Sequence, residues 1–179
     1  MYNILNCKKV KLLWQLWIYF FTSGFICSRI KILMSALWEL QNLDMFFRLS
    51  LSLGLGLVVG LERAAAGKTA GGRTYALVSM GAALFAIIST MVSQLYVGVN
   101  VDPLRMAAQV IVGIGFLGAG MIIFKEKKVS GLTTAAGLWV SSGVGLAVGY
   151  GFYPIAVYAT LLTLITFTVM WYLGEKIGI

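Results

Sequence analysis

The chain has 179 residues, of which 60% are hydrophobic and 11% charged, and its formal net charge at pH 7 is +8. This apolar share exceeds the ~45–50% of an ordinary soluble domain, so the composition excludes both a conventional soluble fold and a disordered chain. The sequence has no histidine and only six carboxylates, so we predict a membrane protein that is not an enzyme of conventional acid–base chemistry.

Residues 1–33 form a leader that differs in composition from the rest of the chain, because it contains no alanine and only one of the 21 glycines. Three lysines precede its uncharged stretch, residues 12–28. The pattern fits an extra membrane span, a signal peptide that lacks a recognisable cleavage site, or sequence upstream of a true start at Met34 or Met45. Both cysteines lie in this leader, so no disulfide framework is expected in the remainder.

Four uncharged stretches follow the leader: 49–61, 74–101, 106–124 and 129–174. A helix needs roughly 20 apolar residues to cross the ~30 Å hydrocarbon core, so the second and third stretches hold one span each and the fourth holds two. We expect the turn within the fourth at 150–154, because Gly151 permits a reversal and Pro154 suits the first turn of a helix. The first stretch reaches span length when Phe46 and Phe47 join it and Arg48 snorkels to the surface.

These stretches predict an all-α, polytopic transmembrane helix bundle of five spans over residues 44–175, with the leader as an extra hydrophobic helix if it is made. Basic residues orient the bundle. They cluster in the loops 62–73 and 125–131 and at Lys176, whereas Arg48 and Arg105 lie at the opposite helix ends. The positive-inside rule therefore places both loops and the C-terminus in the cytoplasm. A nucleic-acid interface is not expected, because it needs basic residues on one face of a soluble module.

Eight glycines recur at short spacings in the first, third and fourth spans: Gly56, Gly60, Gly113, Gly115, Gly118, Gly120, Gly145 and Gly149. Small residues four positions apart let helices approach closely in lipid. Residues 113–118 also match G-x-G-x-x-G, but a dinucleotide site needs a preceding strand and an acidic residue about 20 positions later. We therefore predict no cofactor. These three spans are expected to form a tight centre, with the fifth span facing lipid.

The candidate polar residues lie at or near helix ends: Glu62, Arg63, Arg73, Asp102, Arg105, Gln109, Thr133 and Thr134. Asp102 before Pro103 is typical of an N-cap at a helix start. Arg105, one turn later, can pair with Asp102 or contact headgroups. Glu62 ends the first span, where the helix dipole opposes a negative charge. We therefore expect a compensating ion pair, and specifically a bridge to Arg73 across the loop.

Uncharged polar side chains lie in the third and fourth spans. They are Gln109 in the third, and 133–134, Ser141 and Ser142 in the fourth. They can either hydrogen-bond between helices or line a pathway. Mg²⁺ takes oxygen ligands, typically one or two carboxylates with several waters. The two candidate carboxylates fall on opposite sides of the predicted bilayer, so no metal site is expected in one monomer.

Four motifs in order identify a family. They are GLER at 60–63, GGRTYALV at 71–78, DPLRMAAQV at 102–110 running into GIGFLGAG at 113–120, and GLTTAA with LW at 131–139. Over 46–173 the chain resembles the membrane domain of the MgtC/SapB family. The resemblance implies a bacterial inner-membrane protein linked to survival under low magnesium or acid and to growth inside host cells. For the family's namesake it further implies restraint of the F-type ATP synthase.

The chain departs from the family pattern at several places. Many members have histidine where Tyr75 stands, so any role of that histidine is absent, and threonine is common where Gly137 stands. Members of the MgtC type continue into a soluble cytoplasmic domain. This sequence ends at Ile179, and we therefore expect it to be similar to the shorter branch.

Two functions stay open. The first is a non-enzymatic membrane protein that biases a partner complex, such as ATP synthase or a cation transporter, under ionic or acid stress. The second is a small transporter or channel for Mg²⁺ or protons, as a monomer or a homo-oligomer, with its path along Gln109, Ser141 and Ser142. Transporters usually carry an ionisable group deep in a span. Every charged residue here lies near a predicted helix end, which favours the first function.

Overall fold

The structure is a computed structural model that describes residues 24–96, 102–125 and 128–177. Its elements in chain order are α1 (Gly24–Ala65), α2 (Gly72–Leu95), α3 (Leu104–Met121), β1 (Ile123–Lys125), β2 (Lys128–Ser130), α4 (Leu132–Gly149) and α5 (Tyr153–Ile177). The chain divides into two compact units, Met1–Asp44 and Met45–Ile179. In the first unit the described part is the beginning of α1. Most of the predicted leader lies outside the described residues, and the second unit holds the bundle.

The predicted five spans are confirmed. Five helices of the described chain are long and apolar enough to cross a membrane: Asn42–Ala65, Gly72–Leu95, Leu104–Met121, Leu132–Gly149 and Tyr153–Met170. The turn expected at 150–154 is also present, because α4 ends at Gly149, Gly151 has a φ of +86° and α5 begins at Tyr153. Pro154 is thus in the first turn of α5, where its missing N–H costs no hydrogen bond.

Helix α4 forms the centre of the bundle, since 61% of its span is buried against 39% for α2 and 11% for α3. This corrects the expectation that the first, third and fourth spans form the centre, because α2 takes the place predicted for α3. The buried residues of α2 are mostly alanine and serine, including Ala82, Ala83 and Ala86. They allow close approach without forming a glycine pair. Helix α5 is mostly exposed, as predicted for a span at the edge.

A short antiparallel hairpin connects α3 to α4. Strands β1 and β2 pair with Phe124 opposite Val129. The segment 125–131, expected to be a loop, instead contains the end of β1 and all of β2, so the hairpin corrects this expectation. Gly131 follows it with a φ of +88°, and a Cβ there would lie 2.1 Å from the Met121 carbonyl oxygen. Only glycine fits this left-handed, crowded position between hairpin and helix.

The bundle has two distinct ends. The basic end comprises residues 62–73, 121–125 and 128–134, with exposed Lys68 and Arg73 in its first loop. The distal end comprises residues 46–49, 89–92, 102–105 and 149–153. The predicted polar residues divide between these two ends.

Candidate functional site

Helices α2 and α4 approach each other at two glycines. A Cβ at Gly145 would lie 2.0 Å from the Ser79 carbonyl oxygen, and one at Gly149 would lie 2.7 Å from the Ala83 carbonyl oxygen and 2.6 Å from the Ala86 Cβ. Two of these three atoms are backbone carbonyl oxygens, which cannot move without their helix. The G-x-x-x-G pair of α4 therefore sets how closely it packs on α2.

Helix α1 approaches α2 through its own glycine pair. A Cβ at Gly56 would lie 2.6 Å from the Tyr75 carbonyl oxygen, and one at Gly60 would lie 2.6 Å from the Gly72 Cα. Two helix backbones are thus nearly in contact at the start of α2. The G-x-x-x-G pairs of α1 and α4 thus both face α2, which explains why this helix is central although it has no such pair.

The glycines of α3 behave differently. Gly118 lies near α4, where its Cβ would be 3.6 Å from the Ala135 Cβ, but a Cβ at Gly113, Gly115 or Gly120 would meet no atom within 4 Å. These three do not make the helix contacts predicted for them within the described chain. The G-x-G-x-x-G match lies inside α3, so it does not form the strand-to-helix turn of a phosphate loop.

At the basic end, Arg63 and Glu62 form a charge pair inside the bundle. Arg63 is only 3% exposed, and it donates from Nε and Nη2 to the two carboxylate oxygens of Glu62, with Nη2 and Oε1 2.5 Å apart. Its Cζ lies 3.7 Å from the centre of the Phe167 ring, a cation–π contact. The expected Glu62–Arg73 bridge is wrong, since a buried guanidinium needs this carboxylate as its counterion and Arg73 is exposed.

Tyr75 lies beside this pair, fully buried where α2, α4 and α5 meet. Its hydroxyl donates to the Thr134 carbonyl oxygen at 3.0 Å, and its carbonyl oxygen accepts from the Ser141 hydroxyl at 3.2 Å. A Cβ at Gly137 would lie 2.5 Å from the Tyr75 hydroxyl oxygen and 2.8 Å from Cζ of Phe167. The two departures from the family pattern, tyrosine at 75 and glycine at 137, therefore touch, and the small residue makes room for the large one.

At the distal end, polar groups secure the start of α3. The Asp102 carboxylate accepts from the Leu104 N–H at 2.9 Å, as expected for the Asp-Pro pair. The helix begins at Leu104, however, so Pro103, predicted as its first residue, occupies the N-cap position. The Pro103 carbonyl oxygen accepts from the Ser89 hydroxyl at 2.6 Å and from the Tyr150 hydroxyl at 2.8 Å. Burial raises the pKa of Tyr150 above its ordinary value of 10.0, and the nearby Asp102 charge acts in the same direction.

An apolar groove with a volume of about 960 Å³ runs between α2 and α3. Asp102, Arg105 and Gln109 line it together with Ser89 near the distal end. The structure thus groups three of the predicted residues on this groove. Glu62, Arg63 and Thr134 belong instead to the basic end, where Thr133 and Arg73 are exposed.

The three residues of the predicted pathway are not brought together. Ser141 is hydrogen-bonded to Tyr75, as described, and the Ser142 hydroxyl donates to the Trp139 carbonyl oxygen at 2.7 Å. Both are buried in α4, whereas Gln109 is exposed on α3. In the described part of the chain, no three residues among His, Cys, Asp and Glu are grouped so that they could hold a metal ion.

One contact and one buried hydroxyl were not expected from the sequence. Arg48, expected to snorkel, donates from Nη1 to the Gly149 carbonyl oxygen at 2.8 Å, which places a cation at the C-terminus of α4, where the helix dipole favours it. The Ser79 hydroxyl is buried without a hydrogen-bond partner among the described residues. No sequence pattern distinguishes Ser79 from the other serines of the spans. For Arg48, the only signal was its position before an unusually short apolar stretch.

The chain is similar in sequence to a known family and to several of its members. The profile of the MgtC family matches residues 49–176. A Haemophilus influenzae protein is 42% identical over 141 residues, which cover 76% of this chain and 59% of the relative. YhiD of Escherichia coli K12, named as a proposed magnesium transporter, is 43% identical over 116 residues, 62% of this chain and 53% of YhiD. MgtC of Salmonella typhimurium LT2 is 46% identical over 110 residues, 62% of this chain and 45% of MgtC.

The matched segments cover about half the length of these relatives. No solved structure matches the chain.

Proposed function

The chain belongs to the MgtC family, and from this premise we propose that it is a non-enzymatic membrane protein that binds a partner membrane protein and biases its activity under low magnesium or acid. The proposed partner is an ATP synthase or a cation transporter in the bacterial inner membrane. The basic end and the C-terminus face the cytoplasm in this proposal, following the positive-inside rule.

The observation that carries this proposal is the exposure of α3. We define the outer face of α3 by its exposed residues at helical spacing: Leu104, Ala108, Val112, Gly115 and Ala119. Val112 is 69% exposed and the adjacent Phe116 is 81% exposed. Gly115 and Ala119 form a small-x-x-x-small pair with open space above the glycine. Helices in lipid associate through such pairs, so this face suits a partner helix.

A partner has reason to bind here rather than elsewhere on the bundle. The glycine pairs of α1 and α4 are already used inside the bundle, against α2. The span of α5 contains no glycine, and its exposed side chains include the bulky Leu161, Leu162 and Ile165. The outer face of α3 therefore offers both the small residues and the exposed apolar area that a helix contact needs.

Transport of Mg²⁺ or protons is the second candidate, and the name of the relative YhiD favours it. The hydroxyls of Ser141 and Ser142 argue against a path through one monomer, because each is occupied by a backbone carbonyl group. A second copy of the chain on the outer face of α3 would be a homo-oligomeric form of the first proposal.

Site-specific photo-crosslinking in living cells tests the proposal. A photoreactive residue at Val112 is expected to give crosslinks to one membrane complex, identified by mass spectrometry, whereas the same residue at Leu162 on α5 gives none. Gly115→Leu should abolish the Val112 crosslinks and reduce growth at limiting magnesium. The proposal fails if both positions give the same products, or if purified protein in liposomes carries Mg²⁺ or protons and Gln109→Leu stops the flux.

A further inference from the structure

The groove between α2 and α3 has a chemical order along each wall. On α3, Arg105, Gln109, Gly113 and Leu117 line it, and their spacing of four residues places them in one row along the helix. The row runs from a cation through an amide to an open position and then an apolar side chain. Such an order matches an amphiphile that lies along the helix with its charged head at Arg105.

The α2 wall also has a polar residue near the distal end, a glycine deeper in the groove and an apolar residue deepest, although its second position is the aromatic Phe85. Leu77, Gly81, Phe85 and Ser89 line the groove with the same spacing of four residues. Ser89 is near the distal end, and Gly81 is eight residues deeper, or about 12 Å at 1.5 Å per residue. Gly113 is also eight residues, about 12 Å, below Arg105 on α3. Since the Ser89 hydroxyl contacts Pro103, two residues before Arg105, the two glycines lie within about one helical turn of the same depth.

Glycine creates the space in this groove. A Cβ at Gly81 or at Gly113 would meet no atom within 4 Å, so neither glycine is required by a contact inside the described bundle. From Leu77 to Ser89 the groove is about 18 Å long, against about 15 Å for half of the hydrocarbon core. An acyl chain of one membrane leaflet fits this length.

The charged groups at the mouth are incompletely used by the protein. Asp102 accepts the N–H of Leu104 through Oδ1, and no hydrogen bond to Oδ2 is present among the described residues. The Arg105 guanidinium is exposed and makes no ion pair or hydrogen bond within the same part of the chain. The hydroxyls of Ser89 and Tyr150 are satisfied by the backbone. The mouth therefore offers one cation and one anion to a ligand.

We infer that the groove binds one zwitterionic glycerophospholipid with a primary ammonium headgroup, phosphatidylethanolamine in a bacterial membrane. Its phosphate pairs with Arg105, its ammonium group with Asp102, and Gln109, one turn deeper, donates to an ester carbonyl group. One acyl chain fills the space above Gly81 and Gly113. Phosphatidylglycerol has the same phosphate to pair with Arg105 but lacks the ammonium group, so it would leave the Asp102 carboxylate without a counterion. This inference does not depend on the proposed function.

Native mass spectrometry of the full chain, purified in detergent, tests the inference with equimolar phosphatidylethanolamine and phosphatidylglycerol. Wild type should retain one phosphatidylethanolamine in clear excess over phosphatidylglycerol. Gly113→Leu fills the groove and should lower this occupancy about tenfold, as should Arg105→Gln through loss of a charge-assisted hydrogen bond.

Two matched controls isolate the groove. Gly115→Leu places the same side chain two residues away on α3, also in open space, and should keep wild-type occupancy. Arg73→Gln removes an exposed arginine at the basic end and should do the same. Thermal unfolding reports whether each variant is folded, and Arg105→Gln alone decides the test if Gly113→Leu is not. The inference is overturned if phosphatidylglycerol is retained equally, or if the folded groove variants keep wild-type occupancy.

Discussion

Replacing Gly145 by alanine is the sharpest test of the packing between α2 and α4. The new Cβ would lie 2.0 Å from the Ser79 carbonyl oxygen and 2.8 Å and 2.9 Å from its carbonyl carbon and Cα. Since real Cβ contacts are not shorter than 3.0 Å, the helices must separate by at least 3.0 − 2.0 = 1.0 Å. The obstacle is backbone, so a rotamer change of a side chain does not relieve it.

The cost follows from this displacement. Overpacking of a close-packed core costs about 1–3 kcal/mol, and we expect the upper part of this range because two whole helices must move. Alanine also gains about 1 kcal/mol over glycine in helix propensity. Gly143→Ala is the matched control, because this glycine lies on the same helix with no atom within 4 Å of the added Cβ. Both variants share the propensity gain, so their difference isolates the packing cost at about 3 kcal/mol.

Thermal unfolding of the full chain in detergent measures this difference. For a chain of this size, 1 kcal/mol corresponds to about 2–4 °C, so Gly145→Ala should unfold about 6–12 °C below Gly143→Ala. Equal unfolding temperatures for the two variants would refute the close approach of α2 and α4.

Three further predictions concern the polar contacts. Arg63→Gln removes the buried cation, leaves the Glu62 carboxylate without its partner and should destabilise the protein by about 3 kcal/mol in chemical denaturation. In the same assay, Lys68→Gln on the exposed loop should change stability by less than about 0.5 kcal/mol. Tyr75→Phe removes the hydrogen bond to the Thr134 carbonyl group and should cost about 1 kcal/mol in the same assay. Burial raises the pKa of Tyr150, so the contribution of its neutral hydroxyl to folding stability is complete below pH 10 and is lost as pH rises through the folded-state pKa. The difference in folding stability between wild type and Tyr150→Phe should therefore shrink above pH 10.

Much of the bundle follows from the sequence, because the bilayer imposes a length on each span and water imposes charges at the ends. The reversal at Gly151 and the capping by Asp102 were also predictable, since both depend on residues within a few positions of each other. These are local features. Neither the turn nor the cap depends on contacts between distant segments.

The choice of helix neighbours could not be predicted in the same way. A glycine pair such as Gly145 and Gly149 indicates that something approaches closely, but the approaching residues, Ser79 and Ala83, carry no distinctive pattern of their own. Likewise, the counterion of Glu62 depends on Phe167, because the ring about 100 positions away holds Arg63 inside the bundle. Such choices are decided by packing between distant segments.

Helix α3 is held near its ends, by hydrogen bonds to the Pro103 carbonyl group at one and by the crowded turn at Gly131 at the other. Most residues in its middle are exposed. Substitutions at the exposed positions of that middle, unlike ones at the buried Ile114, therefore change folding stability little. A change on the outer face of α3 can therefore alter what the helix binds in the bilayer without altering how the bundle folds.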